Sequence, residues 1–166
     1  MKSCSRLLTL VTFLAALSPV SVWAKDQHGK LGLGYNAQFA NATATGGVPA
    51  VSLKYGITRD IAAEGLVGVA TGTPSNSVVG IKFFKNLFYE TNLNFYFMLG
   101  GGILSANSRS GAEFLSGFGA EFFIPGIESL GFSVETGGSF ENISTGSFIL
   151  RTMGISFLEA GIHFYF

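Results

Sequence analysis

The histidines of this sequence are the side chains most suited to proton transfer or to activating a nucleophile. His28 lies in a polar stretch, and His163 lies three residues before the terminal Phe166. A catalytic histidine needs a nucleophile and an orienting carboxylate within hydrogen-bond reach. Glu159 is four residues from His163, and four residues on a strand span about 13 Å. We therefore predict a hydrogen-bonded structural role for His163, and a protein that is not an enzyme.

The sequence also gives little support for a metal or cofactor site. Cys4 is the only cysteine, and Asp26 and Asp60 are isolated, so no set of ligands has the spacing of a metal site. The run Gly100-Gly101-Gly102 lacks the Lys-Ser/Thr that completes a phosphate-binding loop. We expect no cofactor and no metal.

Most of the remaining charges follow a period of two. Val51, Leu53 and Tyr55 alternate with Ser52 and Lys54, and such alternation indicates a β-strand with one apolar and one polar face. Charges inside a narrow barrel are costly unless they are paired. We predict an inward-facing network of ion pairs and hydrogen bonds formed by Lys30, Lys54, Glu64, Lys82, Glu90, Asn92, Asn94, Glu113, Glu121, Glu135, Arg151 and Glu159.

Eight strands are predicted to carry these side chains, at residues 30–39, 49–57, 61–70, 78–84, 88–100, 112–123, 131–140 and 151–166. Tight turns are predicted at Thr58-Arg59-Asp60 and Lys85-Asn86-Leu87, and long polar connections at residues 41–47, 71–77 and 105–111. This alternation is typical of short periplasmic turns and long extracellular loops, although the connection 124–130 is longer than its periplasmic place predicts. Leu66 shares the face of Glu64, which either a bulge or a small apolar layer would explain.

The first 24 residues have the pattern of a cleavable export signal. Lys2 and Arg6 precede an apolar stretch at residues 7–17, and Val22 and Ala24 occupy the small-residue positions before the cut. The chain is thus predicted to divide into a signal peptide, 1–24, and one domain, 25–166. Removing Lys2 and Arg6 leaves eight basic and ten acidic residues, 8 − 10 = −2, which argues against a nucleic-acid partner.

Composition decides which face points outward. Charged residues make up 12% of the chain, whereas a soluble domain has about 25%. The polar faces carry small residues that fit a narrow lumen, and the apolar faces carry Phe, Tyr, Leu, Ile and Val. A lipocalin-like soluble barrel would have the opposite sense, and a helical membrane protein would need about 18 consecutive apolar residues. We predict an all-β, eight-stranded, antiparallel, up-and-down transmembrane β-barrel, because exposed strands cannot cross a bilayer without closing.

The last strand carries Leu158, Ala160, Ile162, Phe164 and Phe166 at every second position. This pattern resembles the closing strand of bacterial outer-membrane barrels, in which Phe164 and Phe166 would form the insertion signal read by the barrel-insertion machinery. Together with the signal peptide, strand number and loop alternation, the mature chain resembles the small outer-membrane β-barrel superfamily of the OmpA membrane domain and OmpX. The resemblance implies a bacterial outer-membrane location, with membrane lipid and lipopolysaccharide as partners, and we expect a monomer.

Three functions remain open from the sequence. The first is a barrel with a structural or surface-exposed role in the envelope, whose interior is a polar plug. The second is an OmpW-like narrow channel or transporter for a small hydrophobic or ionic solute, although OmpW-like passage would favour an apolar channel and this lumen is rich in Glu and Asn. A functional role for the polar lumen itself would be a narrow water path that prefers cations. The third, a lipid-modifying enzyme, is the least favoured, because no histidine lies in a predicted outer loop.

Overall fold

The computed structural model describes residues 25–36, 50–71, 75–106, 109–142, 149–152 and 159–166. The predicted signal peptide, 1–24, and the predicted connection 41–47 lie outside these ranges. The strands are β1 (Leu31–Asn36), β2 (Ala50–Gly56), β3 (Ile61–Ala70), β4 (Asn76–Glu90), β5 (Leu93–Ala106), β6 (Arg109–Ile124), β7 (Ile127–Asn142), β8 (Ile149–Thr152) and β9 (Glu159–Tyr165). Within the described ranges, no helix is long and apolar enough to cross a bilayer.

The sheet closes on itself. Each strand from β1 to β7 pairs antiparallel with the next, and β9 pairs with both β7 and β1. β8 pairs with the same strand, β7, at residues 138–141, whereas β9 pairs with residues 130–135. Together β8 and β9 therefore fill one position in the wall, and the prediction of an eight-stranded antiparallel up-and-down barrel is confirmed.

The two ends of the barrel differ. Residues 57–60, 91–92 and 125–126 form short connections at one end, which also carries the N-terminal segment and Phe166. We call this the turn end, and the opposite end the loop end. The connection 124–130 is not long, because β6 and β7 continue up to a turn in which Gly126 has a φ of 87°. Glycine adopts this left-handed conformation without steric cost.

The predicted turn at Lys85-Asn86-Leu87 is wrong. β4 continues to Glu90, and the chain reverses at residues 91–92 instead. The register with β5 shifts between Asn86 and Phe88, which marks a β-bulge at Leu87. Such an insertion exchanges the inward and outward faces beyond it.

Small residues on the inner face make room for large ones. A Cβ atom on Gly119 would lie 2.6 Å from the Tyr96 ring, and one on Gly32 would lie 2.6 Å from the Tyr165 ring. Leu66 packs inside with Val78, Leu104 and Leu115. The apolar residue on the polar face of β3 thus belongs to a small apolar layer and not to a bulge.

Candidate functional site

An ion pair crosses the lumen between strands on opposite sides of the barrel. Lys54 of β2 lies 2.8 Å from Glu121 Oε2 of β6, and the side chains are 3% and 1% exposed. Tyr165 donates its hydroxyl to Glu121 Oε1 at 2.5 Å, and Gln27 donates its amide to Glu121 Oε2 at 3.1 Å. The Lys54 ammonium also lies 4.5 Å from the centre of the Phe84 ring. Glu121 is therefore held by a cation and two neutral donors.

A second buried pair joins β4 to β7. Lys82 Nζ lies 3.2 Å from Glu135 Oε2, and the Tyr96 hydroxyl donates to Glu135 Oε1 at 2.5 Å. Both Glu121 and Glu135 thus receive one ammonium and one phenol. Charge-assisted bonds of this kind are about twice as strong as neutral ones.

His163 lies between strands that are far apart in sequence. Its Nε2 is 2.7 Å from Ser52 Oγ and 3.1 Å from Glu64 Oε1, and its Nδ1 is 3.8 Å from Glu121 Oε1. A carboxylate only accepts hydrogen bonds, so Nε2 must carry the proton it shares with Glu64 and cannot also take one from Ser52. Ser52 is fully buried. The geometry fits a structural hydrogen-bond centre and not an activated serine facing a substrate.

These residues form two groups that differ in charge. We call Gln27, Ser52, Lys54, Glu64, Glu121, His163 and Tyr165 the turn-side cluster, and Glu113, Glu135, Glu141 and Glu159 the acidic cluster. All are buried. In the acidic cluster, Glu113 lies directly opposite Glu141 and Glu135 directly opposite Glu159 in the strand register. Lys82 connects the acidic cluster to β4 through Glu135.

Four residues of the predicted network lie elsewhere or cannot be placed. Glu90 is exposed and lies opposite Leu93, because the bulge at Leu87 reverses the faces at the end of β4. Asn92 lies in the turn, half-buried, and accepts a backbone bond from Phe123 through its carbonyl. The inward assignments of Glu90 and Asn92 are therefore wrong.

Lys30 precedes β1 and is half-buried at the turn end. Arg151 lies opposite Ser139, an inward register position, and its side chain is outside the described part of the structure. The other eight residues of the predicted network are buried: Lys54, Glu64, Lys82, Asn94, Glu113, Glu121, Glu135 and Glu159.

Sequence reasoning missed the polar partners that are not formally charged. Tyr96 lies between Phe95 and Phe97, and Tyr165 lies between Phe164 and Phe166, so both appeared to belong to aromatic runs. The alternation of the strands could have placed both phenols inside, since Tyr165 lies two residues after His163 and therefore on the same face. Gln27 precedes the first strand and carries no periodic signal at all.

The outer surface is apolar. Leu53 is 48% exposed next to the buried Lys54, and Phe164 and Phe166 of the predicted insertion signal are exposed. Aromatic rings cover one side of the barrel, where Phe88 stacks on Phe95 with centroids 4.6 Å apart and Phe97 packs against Phe118. Alternation along each strand therefore separates an apolar exterior from a charged interior.

A small polar group lies on the rim of the turn end. Asp60 accepts hydrogen bonds from the Tyr89 hydroxyl and from Lys85, whose Nζ is 3.2 Å from Oδ2. The hydrogen bond from Tyr89, followed by that from Lys85, lowers the pKa of Asp60 below its ordinary value. These contacts join the β2–β3 turn to the bulged end of β4.

Among the described residues, no three His, Cys, Asp or Glu side chains are arranged to hold a metal ion. Neither a family model nor a curated protein sequence matches the chain. The fold is similar to the crystal structure of the N-terminal β-barrel domain of Pseudomonas aeruginosa OprF, with a TM-score of 0.52 and 12% sequence identity. The match covers 82% of this chain and 96% of that domain. At this identity the likeness shows the barrel fold alone.

Proposed function

We propose that this chain is a non-enzymatic integral outer-membrane β-barrel protein with a structural or surface-exposed role in the envelope. Its interior is a charged plug that fixes the register of the strands. An export signal at residues 1–24 would deliver it, and lipid and lipopolysaccharide would surround it as a monomer. The barrel fold shared with a domain of OprF supports this proposal.

The separation of an apolar exterior from a buried charged interior carries the proposal. A soluble barrel needs polar side chains in contact with water, whereas here Val67 is 55% exposed and Lys82 is fully buried. A transmembrane strand needs about 9–11 residues. β4, β5, β6 and β7 have 15, 14, 16 and 16 residues, so they are long enough to cross a bilayer.

Site-directed spin labels test this orientation directly. The chain has one cysteine, Cys4, within the predicted signal, so a label can be placed at Val67→Cys on the outer face and at Arg59→Cys in a turn. We expect collisions with oxygen to dominate at residue 67 and collisions with a water-soluble nickel chelate to dominate at residue 59. Equal access of the nickel chelate to both positions would favour the lipocalin-like alternative.

Fractionation tests the location. We expect the protein in outer membranes, with a gel mobility that changes on boiling, and a mature mass that begins at Lys25. Deletion should alter envelope integrity without changing the acyl chains of lipid A. A change in acyl chain number, measured by mass spectrometry, would instead indicate the lipid-modifying enzyme.

An excess of interior carboxylates favours a second candidate, a narrow cation-preferring channel. Six glutamates are buried among the described residues, against Lys54, Lys82 and His163. The ion pair from Lys54 to Glu121 spans the lumen and opposes conduction. Planar-bilayer recordings separate the two candidates, because a stable, large, cation-selective conductance would overturn the plug.

A further inference from the structure

The segment of residues 25–30 before β1 is folded into the turn end of the barrel. Gln27 is 5% exposed. Gly29 N donates to Gly56 O, Gly56 N donates to Lys30 O, and Lys30 N donates to Gln27 O, at 2.9 to 3.1 Å. Gly29 has a φ of 74°, which allows the segment to turn back before β1 begins.

The side-chain contacts of this segment come from strands on the far side of the barrel. Gln27 Nε2 donates to Glu121 Oε2 at 3.1 Å, and Asn94 Nδ2 donates to the Lys25 carbonyl at 3.3 Å. Lys25 Nζ pairs with Glu128 at 2.5 Å and lies 5.8 Å from the centre of the Phe123 ring. The segment therefore crosses the mouth from β2 to the β6–β7 side.

The inner wall of the barrel at Gly56 leaves space for the segment 25–30. A Cβ atom on Gly56 would lie 2.0 Å from the Gln27 carbonyl oxygen, so the main chain of the segment occupies the space that a side chain would fill. Glu121 lies only four residues before the turn at 125–126 and is nevertheless buried. The docked segment contacts this carboxylate through Gln27, which is itself buried.

We propose that the turn-end mouth is a binding site for a peptide that contains a β-turn, that residues 25–30 are its ligand in cis, and that their docking seals the charged interior. In this docking, the Gln27 carboxamide donates to Glu121, the Lys25 carbonyl accepts from Asn94, and the segment makes two backbone hydrogen bonds with Gly56. The proposal depends on the closed barrel and not on its location, so it can fail while the proposed function stands.

Substitution of Gly56 by alanine tests the seal. The full chain, expressed with its own leader and purified folded, is digested briefly with trypsin, and cleavage between Lys30 and Leu31 is followed by intact mass. In G56A the methyl group meets the docked main chain, so we expect the cleavage to be about tenfold faster than in the wild type, since proteolysis follows the population of the open form. The matched control is G65A, because a Cβ on Gly65 meets no atom within 4 Å, and its cleavage should equal that of the wild type.

Comparison of heated and unheated samples on a gel shows whether each variant is folded. A second variant tests the proposal if G56A does not fold. Gln27→Glu keeps the shape of the side chain and places a carboxylate against Glu121. We expect faster cleavage in Q27E than in the wild type, and an unchanged rate in the matched control His28→Gln, because His28 is exposed. Rapid cleavage of the wild type, or equal rates in the wild type and Q27E, would overturn the proposal.

Discussion

The two groups of buried charges differ in which charges the strand register places opposite each other. In the turn-side cluster, neighbouring strands place opposite charges side by side, since Lys54 lies opposite Glu64 and Glu64 lies opposite Lys82 in the register. In the acidic cluster, carboxylates face carboxylates, as in the pair of Glu135 and Glu159. Opposite charges across strands are favourable and like charges are unfavourable. The turn-side cluster is therefore matched by register, whereas Glu135 of the acidic cluster binds Lys82 of a strand that is not adjacent to it.

One ion pair of each group nevertheless crosses the lumen. Lys54 lies beside Glu64 in the register, yet its ammonium binds Glu121 on the opposite wall. Lys82 likewise binds Glu135 of β7. Backbone bonds join only adjacent strands, so these pairs tie together walls that the sheet does not connect directly.

Removing the cation of the turn-side cluster should have the largest effect. Lys54→Met leaves Glu121 buried with only neutral donors, and loss of one partner of a buried ion pair costs about 3–5 kcal/mol. We expect this loss in the free energy of unfolding, measured by urea titration with the gel-mobility shift.

Two controls distinguish a broken pair from general disruption. Leu53→Met, at the neighbouring outward-facing position of β2, should change the free energy of unfolding little. Lys54→Met/Glu121→Leu should recover much of the loss, because neither charge of this pair is then left buried without the other. A double variant as unstable as the single one would show that the loss of stability comes from disturbed packing and not from the broken ion pair.

The phenol on the last strand should have the next largest effect. Tyr165→Phe removes the hydroxyl that donates to Glu121, and a hydrogen bond to a charged group is worth about 1.5–3 kcal/mol. Tyr55→Phe is the matched control, because Tyr55 is on the outer surface. Equal urea midpoints for the two variants would contradict a role for the Tyr165 hydroxyl.

Neutralising one carboxyl group in each cluster should separate the two clusters. Glu159→Gln replaces a buried carboxyl group that faces Glu135 with an amide of the same shape, so we expect no loss of stability. Glu64→Gln weakens the bond to His163 and removes the negative charge beside Lys54 and Lys82, so stability should fall. Unfolding midpoints at neutral pH make the comparison, and an equal loss in both variants would contradict the distinction between the clusters.

The rim contact at Asp60 lies outside both groups and should have the smallest effect. Its pKa is lowered in the folded state, so its contribution is fully present above the ordinary Asp pKa and is lost as the pH falls through the folded value. Asp60→Asn should therefore be less stable than the wild type at neutral pH, with the difference disappearing in acid below the ordinary range of Asp. A stability difference between Asp60→Asn and the wild type that grows as the pH falls would contradict this role of the Asp60 carboxylate.

The alternation of each strand could be predicted because burial on one face imposes a period of two. In β2, the sequence pattern predicts that Leu53 points outward and Lys54 inward, and the side chains do so. The same argument fails at the end of β4, where one inserted residue, Leu87, reverses the parity. The local pattern does not signal that insertion, and the contacts of Lys85 and Tyr89 on either side of it are with Asp60 of another turn.

The partners across the lumen could not be predicted from the sequence. Parity places a side chain inside, but the choice of Glu121 for Lys54 depends on how far the strands are staggered around the closed barrel. Gln27 lies before any periodic segment, so only the fold brings it to Glu121.

The seam between β1 and β9 has a consequence for how the cylinder is completed. Leu31 and Phe166 exchange two backbone bonds there. A seam slipped by two residues would keep every side chain on its proper face, yet it would move the imidazole of His163 by about 7 Å relative to β1, β2 and β3. His163 would then miss Ser52 and Glu64, so these buried polar contacts select the correct register between the first and last strands, which the backbone hydrogen bonds alone do not.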